Sequence, residues 1–213
     1  MLKGTAIETA YYRFLERHMV PWLVELQLKP NHVTMLGFFT SMMAGIAFAY
    51  RPFWGGLLTL LTGLFDTLDG TLARSLGRTR KYGAFLDSVL DRYTEFIIYL
   101  GIWCYFYRQD NATPFISLLI LLILFGSLMV SYTRARAEGL GVRCLVGMLQ
   151  RGERIILIGL TGVFNPLVNQ LLGNPSSRWL QDILLISILL LLAIGANLTA
   201  LWRFMHVLNR LRS

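Results

Sequence analysis

The stretch Asp66-Thr67-Leu68-Asp69-Gly70-Thr71-Leu72-Ala73-Arg74 is followed, after eight residues, by Gly83-Ala84-Phe85-Leu86-Asp87-Ser88-Val89-Leu90-Asp91. Four of the chain's twelve acidic residues lie in it, with long apolar runs on both sides. Residues three or four apart share one face of a helix. Asp66 and Asp69 therefore face one way on a first helix, and Asp87 and Asp91 on a second. Two helices joined between Arg74 and Gly83 can aim all four carboxylates into one cavity. An ionised side chain at membrane depth costs roughly 2.5–3.5 kcal/mol on insertion scales, so four together need a compensating charge. A divalent cation supplies one. An all-oxygen donor set favours Mg2+ or Mn2+ over Zn2+, which prefers His and Cys. Four carboxylates suffice for two ions, which would clamp a phosphate-transfer centre. Asp66, Asp69, Asp87 and Asp91 are thus expected as metal ligands. Gly70 and Gly83 place backbone without Cβ beside the acids, where a ligand can approach closely. Arg74 offers a planar donor fork for phosphate. The competing arrangement sets the acids in solvent-facing ion pairs with Arg74, Arg78, Arg80 and Lys81. It fits poorly, because Asp87 and Asp91 lie inside an apolar run.

The flanking runs set the class. A 213-residue chain that is 55% hydrophobic, with a net charge of +8 and a mean hydropathy of +0.55, has the composition of a polytopic membrane protein. A basic nucleic-acid-binding domain would not carry repeated apolar runs near the length of a membrane span. Cys104 and Cys144 fall in different segments and suggest neither a disulfide framework nor a zinc site. The first thirty residues are mixed in charge and do not read as a cleavable signal peptide. The expected fold is all-α: six transmembrane helices near 33–50, 53–73, 84–107, 114–137, 153–172 and 181–202, with a tail over 203–213. Residues 1–32 form an amphipathic juxtamembrane segment before them, so that 1–213 is one membrane domain. Tyr11, Phe14, Leu15, His18, Trp22 and Leu26 give this segment one face, suited to a helix lying on the membrane surface. Pro21 is expected to kink it. Lys29-Pro30-Asn31-His32-Val33-Thr34 breaks this helix and opens the first span, and Asn31 and Thr34 can serve there as caps.

Lys and Arg set the orientation. Sixteen lie in the N-terminal segment, the second connection, the region from Arg134 to Arg154 and the C-terminal end, against only Arg51, Arg108 and Arg178 in the alternate loops. The positive-inside rule then puts both termini and the acid cluster on the cytoplasmic side of the cell membrane.

A second informative stretch reads Ser131-Tyr132-Thr133-Arg134-Ala135-Arg136-Ala137-Glu138-Gly139, with Gln150-Arg151-Gly152-Glu153-Arg154 after it. Guanidinium groups beside an acidic, metal-holding cavity suggest an anionic, phosphorylated acceptor. Arg134, Arg136 and Arg154 are the expected contacts, whereas Arg143 and Arg151 read as anchoring charge. Glu95, on the stripe of Asp87 and Asp91, is expected in a structural ion pair.

The pattern D-x2-D-G-x2-A-R-x8-G-x3-D-x3-D, matched here from Asp66 to Asp91 at every fixed position, is identified as the signature of the CDP-alcohol phosphatidyltransferase family. The resemblance implies a six-helix membrane fold and a metal pair. It implies transfer of a phosphatidyl group from a CDP-linked lipid, such as CDP-diacylglycerol, to an alcohol, with release of CMP. It also implies a homodimer. Relatives carry a similar Pro-Asn-x-x-Thr at the entry to the first span, which implies that Asn31, Thr34, Asp69, Gly70, Arg74 and Gly83 contact the CDP-lipid. The run from Ser131 to Glu138 and the later Glu153-Arg154 resemble the phosphatidylinositol phosphate synthase branch, which implies inositol phosphate as acceptor. Arg80 stands where relatives often have Ser or Thr. With no Ser, Cys or His placed as a covalent nucleophile, direct displacement is expected, with Asp91 taking the proton of the attacking hydroxyl. The alternatives are the same chemistry on glycerol phosphate or another polar alcohol and, more distantly, a metal-ion transporter. A transporter would need acids laddered across the membrane, whereas these cluster at one side.

Overall fold

The computed structural model describes residues 6–77, 81–173 and 180–212. Arg78, Arg80 and Arg178, counted above among the loop charges, lie outside them. The regular elements among the described residues are all helical. Helices α1 (Ala6–Phe14) and α2 (Val20–Glu25), joined by a π turn at Leu15–Met19, lead into six longer ones. These are α3 (Pro30–Tyr50), α4 (Pro52–Ser75), α5 (Lys81–Arg108), α6 (Pro114–Gly139), α7 (Arg151–Leu171) and α8 (Ile183–Arg212).

Their starts follow from local chemistry. Pro30, Pro52 and Pro114 each open a helix, where the missing N–H would have had no partner in any case. Thr113 caps α6 by accepting a hydrogen bond from Ile116 N at 3.3 Å. Four of the six, α3, α6, α7 and α8, are long and apolar enough to cross a membrane. The other two, α4 with 24 residues and α5 with 28, have the length, at about 1.5 Å of rise per residue. Their composition is interrupted by the acids and basic residues that the site requires.

Two expectations are adjusted. Residues 203–212 are not a separate tail, since α8 continues through Arg212. Arg203 is buried there, donating from Nε to Val146 O at 2.8 Å and from Nη1 to Val130 O at 2.7 Å. α7 runs through Pro166 to Leu171, close to the end expected for that span at 172. In the N-terminal segment the expected face divides: Leu15 is buried with Val20 and Leu23 against Leu68 and Leu72 of α4, while Tyr11, Phe14, Trp22 and Leu26 are exposed. Pro21 sits in the first turn of α2, directly after the π turn.

In the bundle α4 packs on α3 and α7, α3 on α5, and α8 on α6 and α7. Glycine makes the two closest seams. A Cβ on Gly101 of α5 would lie 2.1 Å from Gly45 O of α3, and one on Gly56 of α4 would lie 2.5 Å from Gly159 O of α7. Without an oil–water driving force between helices in lipid, such close backbone approach is what holds spans together. Hydrogen bonds add to it, from Thr94 Oγ1 to Ser41 Oγ at 3.2 Å and from Trp103 Nε1 to Ser117 Oγ at 3.1 Å. The seams bring the acid-bearing halves of α4 and α5 beside the first turns of α3 and α7.

A methyl group at Gly101 therefore forces α3 and α5 apart, at a cost of about 1–3 kcal/mol for an overpacked contact. Gly101→Ala should lower the thermal midpoint in detergent, whereas Gly139→Ala, whose Cβ meets nothing within 4 Å, should not. Equal midpoints for the two variants would refute the seam.

Candidate active site

Asp66 and Asp69 project from the second half of α4, and Asp87 and Asp91 from the first half of α5. All four line one small cleft, together with Thr34, Thr62, Thr94 and Arg151. Asp66, Asp87 and Asp91 offer carboxylate oxygens that all lie within 4.8 Å of one another. Asp69 is buried and turned to α3, where its Oδ2 accepts a hydrogen bond from Thr34 Oγ1 at 2.6 Å. The structure thus joins three of the four expected ligands in one group and sets the fourth on the wall beside it.

The charge on this group is balanced by arginine. Arg151, the first residue of α7, places Nη1 2.6 Å from Asp66 Oδ1 and 2.8 Å from Asp91 Oδ1. Arg92 adds Nη1 at 3.3 Å from Asp91 Oδ2. One cationic nitrogen shared by two carboxylates marks where positive charge is stabilised. Three hard oxygen donors converging there suit Mg2+ or Mn2+ better than a softer ion, so the residues fit a divalent cation.

A cavity of about 780 Å3 adjoins the cleft. It is lined by Asn31, Thr34, Asp69, Gly70, Arg74 and Gly83, the six residues expected at the CDP-lipid, and also by Lys29, Tyr82 and Asp87. Thr34, Asp69 and Asp87 belong to both spaces. Arg74 is held from two sides, donating from Nη2 to Thr71 Oγ1 at 3.1 Å and lying 5.5 Å from the centre of the Tyr12 ring. A Cβ on Gly70 would meet only Arg74 Nη1, at an ordinary 3.5 Å. What that glycine leaves open is the cavity itself.

The expected acceptor contacts fare unequally. Arg134 is partly exposed and pairs with Glu138 at 2.8 Å, one helical turn along α6; Arg136 is exposed on the same turn. Arg154 is corrected. It is 1% exposed, with Nε and Nη2 on Glu95 Oε1 at 2.9 and 2.6 Å and Nη1 on Leu149 O at 2.9 Å. All three guanidinium nitrogens are bonded inside the bundle, and the partner is the carboxylate that α5 buries one turn below Asp91. Arg151, read from sequence as an anchoring charge, is the arginine at the site. The signal was the Arg-x-x-Arg spacing, which puts both residues on one face of α7 but does not say which of them reaches the carboxylates.

Residues 27–199 match the CDP-alcohol phosphatidyltransferase family. The archaetidylinositol phosphate synthase of Methanothermobacter thermautotrophicus is 36% identical over 200 residues, 93% of this chain and 92% of its own. The phosphatidylinositol phosphate synthase of Streptomyces avermitilis is 34% identical over 161 residues, 72% of this chain and 66% of its own. Among solved structures, phosphatidylinositol phosphate synthase of Mycobacterium tuberculosis with CDP-DAG bound superposes with a TM-score of 0.74 at 27% identity, covering 91% of this chain and 93% of that one. Its complex with manganese and citrate gives a TM-score of 0.73 at 27% identity, over 89% of this chain and 87% of that one. The chain belongs to the CDP-alcohol phosphatidyltransferase family.

If Arg154 serves Glu95 rather than a ligand, breaking the pair costs stability. Removing one partner of a buried ion pair costs about 3–5 kcal/mol, while replacing both with apolar groups is often near neutral. Glu95→Gln should therefore lower the thermal midpoint well below that of the double variant Glu95→Leu/Arg154→Met. A Glu95→Gln protein as stable as the native one would overturn the assignment.

Proposed function

We propose that this chain transfers a phosphatidyl or similar lipid-phosphate group from a CDP-lipid to inositol phosphate at the cytoplasmic face of the cell membrane, using a divalent cation. The observation that carries this reading is the joining of two spaces. The 780 Å3 cavity and the carboxylate cleft share Thr34, Asp69 and Asp87, so a nucleotide in the first would present its pyrophosphate to the second. Six spans, with α4 and α5 crossing beside the four apolar helices, and both termini in the cytoplasm agree with the distribution of Lys and Arg.

Asp66, Asp87 and Asp91 would hold the cations, with Asp69 as the fourth carboxylate; we favour Mg2+ or Mn2+, two per site. When bound, these ions supply positive charge to the pyrophosphate and to the departing CMP. The remaining work falls to the chain's own groups. Asn31, Thr34, Gly70 and Gly83 shape the nucleotide cavity, and Arg74 neutralises phosphate oxygens beside it. The acceptor hydroxyl attacks the phosphorus that carries the lipid, and the bond from that phosphorus to the CMP oxygen breaks with its electron pair going to CMP. The hydroxyl proton passes to Asp91, whose carboxylate has Arg92 as a cationic neighbour. Arg134 and Arg136 would meet the phosphate of the acceptor. The relatives' names differ in the lipid, archaetidyl or phosphatidyl, and share inositol phosphate; that supports the acceptor and leaves ester and ether chains equal. A homodimer is proposed on the family resemblance.

Two outcomes are expected of CMP-release assays on the purified protein. Chelation should abolish turnover and added Mg2+ or Mn2+ should restore it, with Asp66→Asn, Asp69→Asn and Asp87→Asn each losing most activity; full turnover by any of the three refutes its place at the metals. Inositol phosphate should outpace inositol, glycerol phosphate and serine, and Arg134→Gln should raise the acceptor KM about ten- to a hundredfold, as expected for one charge-assisted bond. Preference for free inositol or serine would sink the phosphate pocket, and preference for glycerol phosphate would keep the pocket but change the acceptor.

A further inference from the structure

The start of α7 sets a mobile type of side chain on a fixed root. Gln150 N donates to Glu153 Oε2 at 2.9 Å, closing the first turn as a capping box. Upstream, the chain is tied to α8 where Leu149 N donates to Thr199 Oγ1 at 3.3 Å and Arg203 Nε to Val146 O at 2.8 Å. Downstream, Arg154 is clamped to Glu95. Arg151 lies between these anchors, so its backbone is held from both sides.

Its guanidinium is held differently. The ion pairs to Asp66 and Asp91 both run through Nη1. Its Nε is buried and has no hydrogen-bond partner. A pocket shaped for a guanidinium would satisfy that donor, since a buried N–H without an acceptor is costly. Arg154, three residues on, shows what such a pocket looks like: all three of its nitrogens are bonded. The polar contacts that hold the Arg151 guanidinium are its ion pairs to two carboxylates. Those carboxylates and Asp87 offer oxygens within 4.8 Å of one another, and Arg151 sits on one oxygen of each of the two it pairs with, so its charge lies beside any cation they hold. A divalent ion takes its oxygens at about 2.0–2.1 Å for Mg2+, and a guanidinium on the same oxygens would both block and repel it.

We propose that Arg151 is a tethered counter-ion: it neutralises Asp66 and Asp91 while the site is free of metal, and it must leave them for a divalent cation to be held. The inference rests on the reading that Asp66, Asp87 and Asp91 hold the metal. It has two consequences. The metal-free protein keeps its carboxylates together without an ion, and metal affinity is lower than four carboxylates alone would give, because each binding event displaces an arginine.

The test is Mn2+ binding to the purified protein in detergent, with no CDP-lipid and no acceptor, followed by the electron paramagnetic resonance signal of free Mn2+. Affinity should rise from the native protein through Arg151→Lys to Arg151→Gln, with the Gln variant at least about tenfold tighter, the effect of losing one strong competing interaction. In metal-free buffer Arg151→Gln should melt below the native protein, and saturating Mn2+ should close the gap. Should Arg151→Gln not fold, Arg151→Lys carries the test. Its ammonium keeps the charge but reaches less far, and it must still bind Mn2+ more tightly than the native protein. Bound Mn2+ with equal or weaker affinity in the variants overturns the counter-ion and leaves the metal site standing. No stoichiometric Mn2+ in the native protein or either variant overturns the metal reading and this proposal with it.

Discussion

Negative charge inside an apolar bundle has to be neutralised where it stands, and much of the polar architecture answers to that. Asp66, Asp87 and Asp91 converge in one cleft, and each unit of charge there would otherwise cost several kcal/mol of lost hydration. Arg151 and Arg92 come to the carboxylates from α7 and α5. For Arg151 to reach α4 and α5, α7 must pack tightly on α4, and the glycine seam at Gly56, Gly159 and Gly162 permits this. For Asp69 to meet Thr34, α3 must lie equally close to α4. Close-packed glycines and paired charges are two parts of one solution: backbone approach makes the charge contacts short enough to be worth forming.

The two arginines at the start of α7 show how depth divides similar residues. Arg151 and Arg154 stand three apart on one helical face, yet one lines the cleft and the other is sealed beneath it. Below the cleft no solvent can share the charge, so Arg154 takes a fixed carboxylate and a backbone carbonyl. The Glu95–Arg154 pair closes the floor of the site and fixes the height of α7 against α5. Its Glu95 Oε2 has no hydrogen-bond partner, the remaining cost of placing an ion pair where water does not reach.

The sequence was most readable where spacing alone carried the information. The acid pattern identified α4 and α5 as the site helices, and the apolar runs placed five of the six long helices, and the start of α8, to within a few residues. It was least readable where the answer depended on depth or partner. Arg151 and Arg154 have the same chemistry and neighbouring positions, so nothing in their spacing says which is buried. Arg203 reads as the start of a basic tail, but its guanidinium spans to the carbonyls of Val130 and Val146, contacts set by how α8 lies on α6. In the N-terminal segment the stripe of aromatics was visible, but the face that packs on α4 is the narrower one of Leu15, Val20 and Leu23. Two apolar faces on one helix cannot be ranked until their neighbours are known.

A second buried acid shows why the kind of partner separates structure from site. Asp182, ahead of α8, is 2% exposed and accepts hydrogen bonds from Tyr105 Oη, Asn165 Nδ2 and Asn169 Nδ2. These are neutral donors on two other helices, fixed by packing, and together with Asp182 they fasten α5 and α7 to the start of α8. Fixed dipoles satisfy such a carboxylate permanently, because removing them means separating helices. Asp66 and Asp91 are instead neutralised by the tip of a long side chain, on an arginine whose Nε is left unbonded. That arrangement can be exchanged for another cation without moving a helix. An acidic side chain drawn into the bundle is common to both places, buried at Asp182 and half-buried at the cleft; an exchangeable partner is found at the cleft, next to the 780 Å3 cavity, where a reaction that gathers and releases phosphate charge would need it.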